Sequence, residues 1–279
     1  MLNMLNSERR SIASGSAPAF WTAIDQDLFA AFRQWPLWTM LGWNDIRLKY
    51  RRSTIGPFWI TLSMAMFILI LGIVYSRIFH IAVTDYLPFL TVGYVTWGFV
   101  SQTTTDSCGA FLEGERIIKQ IRLPYAVYVL RVVYRNFIIF LHNVVVFVPV
   151  AIIFSVNPGF HGLMAIPGLV LLYLNLCWVA LCLSILNSRF RDLQSIVGTF
   201  VQVMLFVTPI MWPLRTLGDA TYLAEINPLY HLIDIVRAPL LGQSPETSSW
   251  LVAIALMFPG SAVSMWLLHR ASRRLVFWI

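Results

Sequence analysis

Charge is what this sequence has least of: only 12% of its 279 residues are Asp, Glu, Lys or Arg, about half the share of an ordinary soluble domain. With 58% hydrophobic residues beside it, that scarcity argues against a soluble fold and for an integral membrane protein. Cysteine is scarce too. Cys108, Cys177 and Cys182 fall in or beside apolar segments, without the paired spacing of a disulfide framework or a zinc site. The chain does not open on a basic start, an apolar run and a small-residue cleavage site, so no removable signal peptide is expected. There is no Gly-x-x-x-x-Gly-Lys-Ser/Thr stretch to cradle the phosphates of ATP. The apolar interiors lack acids: Asp85, Asp106 and Asp192 all lie at segment ends, which weighs against a proton or ion relay through the membrane.

What is present is a sharp junction. Arg47, Lys49, Arg51 and Arg52 run directly into an uncharged segment, Pro57 to Ser76, long enough to cross a bilayer core as a helix of about 20 residues. Lys and Arg are retained in the cytoplasm, so residues 1–56 are expected inside and the first span runs outward. Ser53 or Thr54 can cap the helix, and Pro57 suits its first turn because it has no amide hydrogen to leave unsatisfied.

Apolar length gives six spans: about 57–76, 86–105, 137–156, 163–186, 193–213 and 250–269. This predicts an all-α, multi-pass fold with both termini cytoplasmic. The basic residues of 9–10, 47–52, 116–122, 189–191 and 270–274 then fall inside, and only Arg77, Arg215 and Arg237 outside. The net charge of +7 sits in short clusters flanking apolar runs, which is orientation rather than nucleic-acid binding.

The remaining segments divide as follows. Residues 1–19 are polar and breaker-rich, a mobile tail. Over 20–56, Ile24, Leu28, Phe32 and Trp35 recur at helical spacing up to Pro36, and Trp38, Leu41, Asp45 and Leu48 make a second short helix. Both lie in the cytoplasmic interface or pack on other protein. The six-span body covers 57–270, and 271–279 is a short cytoplasmic tail. The third helix should begin near Tyr125, after Pro124, placing Arg131 and Arg135 with His142 on one face. Those arginines either snorkel to lipid phosphate or meet an anionic substrate head group. Asn227-Pro228 supplies a cap and first-turn proline for an apolar helix within 214–249, read as short external elements dipping back into the outer leaflet.

Between spans two and three, Glu115 to Arg122 has acids first, bases last and an apolar stripe at Ile117, Ile118 and Ile121. A short cytoplasmic helix bounded by Gly114 and Pro124 follows, open to a soluble partner. On span two, Tyr86, Trp97, Ser101 and Thr104 share a face, and on span five Ser195, Thr199, Gln202 and Phe206 do. Mixed aromatic and hydroxyl strips suit the ring faces and hydroxyls of a sugar; interfacial belts and helix packing use the same residues. Asp25 and Asp27 are spaced to hold a metal and the diphosphate of a sugar nucleotide, or simply to sit in the first turn of a helix.

The order of parts, from Tyr50-Arg51-Arg52-Ser53-Thr54-Ile55-Gly56-Pro57-Phe58-Trp59 through Ile118-Lys119-Gln120-Ile121-Arg122-Leu123-Pro124 and Asn187-Ser188-Arg189-Phe190-Arg191-Asp192 to Thr208-Pro209-Ile210 before Asn227-Pro228, resembles the membrane subunit of bacterial ATP-binding-cassette polysaccharide exporters, those for O-antigen, capsule or teichoic acid. The likeness covers roughly residues 25–275. It implies a non-enzymatic homodimer in the inner membrane with two copies of a separate ATPase, which binds the ATP and Mg, so this chain needs no cofactor or metal of its own. It also implies outward movement of a lipid-linked glycan. Glu115, Arg116, Ile117, Ile118, Lys119, Ile121 and Arg122 then match the family's coupling helix, and 214–249 its external gate helices. An ABC permease for a drug or simple lipid, and a membrane glycosyltransferase using Asp25 and Asp27, are the rival expectations.

Overall fold

The computed structural model describes residues 25–51, 56, 58–121, 123–214 and 221–279. The N-terminal tail 1–19, the capping roles of Ser53, Thr54 and Pro57, Arg122, and residues 215–220 of the external segment lie outside the described residues. Every element among the described residues is helical.

After two short turns, Asp25–Phe29 and Ala30–Arg33, helix α1 (Trp35–Tyr50) starts at once. Pro36 therefore opens the second helix rather than leaving a gap, since a first-turn proline forfeits no helical hydrogen bond. One face of α1 buries Gly42 and Ile46 on α5 (Tyr125–Val144), with Trp38 edge-on to Tyr134 at 5.6 Å. The other side exposes Met40, Trp43 and Leu48, and Trp35 is exposed at the helix start. The helix thus packs on its own chain and still presents an apolar side outward, as an interfacial helix does.

Four helical stretches are long and apolar enough to cross a membrane: α2 (Phe58–Ile78); α5 with its continuation α6 (Phe147–Ile153); Gly159–Arg189, containing α7 (Ala165–Arg189); and α10 (Thr247–Ala271). Two of the six expected spans fall short by that measure. Helix α3 (Val83–Cys108) is long but carries Thr, Ser and Gln; it can be polar because it is the hub, contacting α2, α5, α7 and the helices Leu193–Val207 and Pro228–Leu240. Helix α8 (Leu193–Val207) has 15 residues and stops where Thr208 turns extended before Pro209. Proline at that point disfavours helical geometry in the residue before it. As expected, α5 begins at Tyr125 directly after Pro124.

Hydrogen bonds between elements bring four helix ends together. Ser184 Oγ donates to Ser107 O at 2.7 Å, Asn187 Nδ2 to Cys108 O at 2.8 Å, and Tyr125 OH to Ser272 O at 3.3 Å. The C-termini of α3, α7 and α10 therefore meet the N-terminus of α5 at one end of the bundle, the end that carries α1 and the charged loops. The residues after α10 are no loose tail there: Leu275 is wholly buried with Phe111, Tyr128 and Leu268. At the opposite end α9 (Pro228–Leu240) is buried almost all round between α3, α7 and α10. Asn227 caps it by accepting from Leu229 N at 3.0 Å, with Pro228 in the first turn, as the sequence predicts. Gly168 makes the closeness of α7 and α9 feasible, because a Cβ there would lie 2.2 Å from Ile235 O.

Candidate functional site: charged end and polar recess

Arg131 and Arg135 fall one turn apart on α5, facing α1 and α3. Arg131 grips Asp45 of α1 in a two-pronged pair, Nε to Oδ2 at 2.6 Å and Nη2 to Oδ1 at 2.5 Å. Arg135 reaches three carboxylates: Asp106 at the end of α3 (3.0 Å), Glu113 in the short helical turn Ala110–Glu113 beyond it (3.4 Å) and Asp45 (3.5 Å). Asp106 accepts further bonds from Gln102 Nε2 at 2.8 Å and Asn136 Nδ2 at 3.2 Å. Most of these charges are largely withdrawn from solvent, so removing one partner strands the other. In the single chain the two arginines are thus spoken for by carboxylates. Their geometry knots α1, α3, α5 and the short helical turn Ala110–Glu113 into one unit. Sequence reading found the arginines and missed the acids, whose pairings span 86, 29 and 22 residues and leave no local spacing signal.

From that knot hangs α4 (Glu115–Gln120). It exists where the charge order predicts it, and Gly114 is needed at its start because a Cβ there would strike the Tyr128 ring at 2.5 Å. Glu115 and Lys119 pair one turn apart at 2.6 Å, and the lysine hydrogen bond holds the Glu115 carboxyl below its ordinary value. This exposed pair adds little to stability. The apolar stripe is split, contrary to the sequence expectation of one face offered outward. Ile118 is 9% exposed and packs into the protein's own cluster with Phe111 and Tyr128, and Ile117 flanks it. Outward face Arg116, Lys119, Gln120 and Ile121, the last 56% exposed.

The two strips proposed for a passage also divide. Tyr86 is 1% and Trp97 5% exposed, with the Tyr86 hydroxyl donating to Met211 O; both belong to the protein interior of this chain. Thr104 is half-buried and bonds back to Val100 O at 2.7 Å. Ser101 joins Ser195, Thr199 and Gln202 along an open recess of about 460 Å³ between α3 and α8, completed by Gln102, Thr105, Gly198 and Val201. Phe206 lies exposed further along α8. The recess offers hydroxyls and amides and no charged side chain.

At the far end, Arg237 of α9 is buried. It donates to Pro209 O at 2.7 Å, lies 4.5 Å above the Phe89 ring and stands 3.7 Å from Asp234. It fastens α9 to the bend after α8 and to α3. Ser249 of α10 lies 3.1 Å from Asp234 Oδ2 and 3.0 Å from His231 Nδ1. The spacing 231, 234, 237 on a helix was the readable signal for this cluster.

Asp27, one of the two candidate acids, accepts from Ala126 N at 3.0 Å. It thereby satisfies an orphan donor at the start of α5. Burial lifts its carboxyl to about 6, against the lowering pull of the Ala126 and Tyr125 amides. The Asp25 side chain lies outside the described residues, and no group of three or more metal-binding side chains forms among the described residues.

Residues 36–241 match the family model described as ABC-2 type transporter. The chain is 24% identical over 192 residues to the O-antigen export system permease protein RfbA of Klebsiella pneumoniae, covering 68% of this chain and 74% of that one. With the protein of the same name from Myxococcus xanthus it shares 24% identity over 227 residues, 80% of this chain and 86% of the other.

Proposed function

The chain belongs to the ABC-2 type transporter family, a family of multi-pass membrane permeases, and from that premise we propose that it is the permease subunit of an ATP-driven exporter carrying a lipid-linked polysaccharide outward across the inner membrane. The kind of polysaccharide, whether O-antigen, capsule or a teichoic-acid-like glycan, is left as a class. The names of the two relatives support the substrate class. The observation that carries it is the recess of Ser101, Ser195, Thr199 and Gln202, whose uncharged donors and acceptors suit a chain of sugar hydroxyls and would bind an anionic or cationic drug poorly.

In this reading α3 and α8 join the four apolar helices to make six spans, with both termini and α4 in the cytoplasm and α9 as an external gate helix. Two copies assemble through the exposed apolar faces of α2 and α8, so that the recesses line a shared passage. Two copies of a cytoplasmic ATPase bind ATP and Mg. They dock on Arg116, Lys119 and Ile121, and Arg122 follows in sequence. The stroke reaches α5 and α1 because Glu113, just before α4, is held by Arg135.

Gly198 gives the test. A Cβ built there meets nothing within 4 Å, and Gly198 lines the recess, so Gly198→Trp directs a bulky ring towards it from an unobstructed backbone position. Expected are normal membrane levels, retained ATPase and glycan accumulating inside the cell. Normal surface glycan in that variant would refute the recess as the route.

A further inference from the structure

Where α7 and α10 end side by side, Arg189, Arg270 and Arg274 line one pocket of about 240 Å³ walled by Phe190, Trp266 and Trp278. None of the ion pairs among the described residues involves any of the three arginines. The company of Arg189 and Arg270 is aromatic. The Arg189 guanidinium lies 5.2 Å from the Phe190 ring centroid and 5.5 Å from that of Trp278, and Arg270 lies 5.1 Å from Trp266.

A ring face holds the plane of a guanidinium without neutralising it, and leaves the N–H donors at its edge free. The negative C-terminal ends of α7 and α10 explain cations on the last turns, Arg189 and Arg270. They do not explain Arg274, which lies beyond α10, or three aromatic walls. Three guanidinium groups lining one small cavity, with no acidic side chain among its described lining residues, make a receptor for a phosphate, the group to which arginine forks bond best. Both helices belong to membrane-crossing stretches and end here, so the cavity sits at head-group depth, where indole rings also settle.

We propose that this pocket binds the phosphate head group of an anionic membrane phospholipid, whose acyl chains run along the exposed apolar surfaces of α7 and α10. Neither the passage nor the ATPase is involved, and the inference needs only that the bundle crosses a membrane. Bound there, the lipid bridges the ends of two helices that otherwise repel each other through like charge.

The test uses the full chain, purified and placed in phosphatidylcholine nanodiscs with and without phosphatidylglycerol, followed by native mass spectrometry of the released protein. The wild type should retain phosphatidylglycerol in preference to phosphatidylcholine. Replacing all three arginines by Gln should weaken that retention roughly a hundredfold, at about fivefold per arginine at an anionic surface. The triple Lys variant, which keeps the charge, should retain most of it. Arg273→Gln, an exposed neighbour that does not line the pocket, should change nothing. Equal retention by the triple Gln variant, or an Arg273→Gln loss as large as the triple's, overturns the proposal. Displacement of the lipid by inorganic phosphate also overturns it, because the pocket would then be a site for free phosphate.

Discussion

Arg131 and Arg135 meet three carboxylates within 3.5 Å, whereas at the same end of the bundle Arg189 and Arg270 lie over aromatic rings, Arg274 lines the same pocket, and none of the three forms an ion pair among the described residues. The first set is mostly screened from solvent and joins α1, α3 and α5; the second lies open on the ends of α7 and α10. Positive charge at one end of the bundle therefore stands in two settings in one chain. Matched by acids, it fixes helices to one another, and the price of burying it falls due when either partner is lost. Left unmatched, it costs little, because its solvation is retained, and it stays available to an outside anion.

If that distinction is right, the largest effect comes from breaking the matched set. Asp45→Asn strands Arg131 and should cost about 3–5 kcal/mol of stability, read as loss of the intact protein in a thermal or denaturant series in detergent. Combining it with Arg131→Gln should recover part of the loss, since no charge is then left without a partner. An additive double variant would mean the two charges act separately.

Asp27 extends the contrast to a part-buried acid that has amides and, among the described residues, no base beside it. Its folded value near 6 stands above the ordinary 3.8 because burial disfavours the carboxylate. The folded protein holds this proton more tightly than the unfolded chain. The resulting stabilisation is full below 3.8 and is lost as pH rises to about 6, up to about 3 kcal/mol across the window. Stability measured from neutral pH downward should rise through this interval, against whatever the other carboxylates contribute. Asp27→Asn should remove that component, and an unchanged pH profile would contradict the assignment.

Smallest is the expected effect of disarming the unmatched set. Replacing Arg189, Arg270 and Arg274 by Gln should shift stability in neutral detergent by no more than about 0.5 kcal/mol per site. A loss comparable to that of Asp45→Asn would erase the distinction between the two sets.

The four long apolar helical stretches were legible in the sequence because membranes impose long apolar runs. The start of α5 after Pro124, the cap at Asn227 and the short helix at Glu115–Gln120 all follow from local chemistry. What was not legible depends on distant partners. Asp45 and Arg131 are brought together only by packing α1 on α5. Tyr86 and Trp97 share the helical face of Ser101, but α3 is surrounded by other helices at one end and open to a recess at the other. Periodicity identifies a face; it does not say what covers each part of it. Ile118 shows the same limit, its stripe partner Ile121 pointing outward while it points into the Phe111 and Tyr128 cluster.

The account's central claim is that ATP hydrolysis by a docked partner drives a glycan past the recess. The direct measurement reconstitutes the chain with its co-purifying ATPase in liposomes, supplies lipid-linked glycan on the ATPase side and follows its appearance on the other. The account predicts movement that requires ATP and that Gly198→Trp abolishes while the ATPase stays bound. Movement that proceeds equally without ATP, or unimpeded in Gly198→Trp, would contradict it.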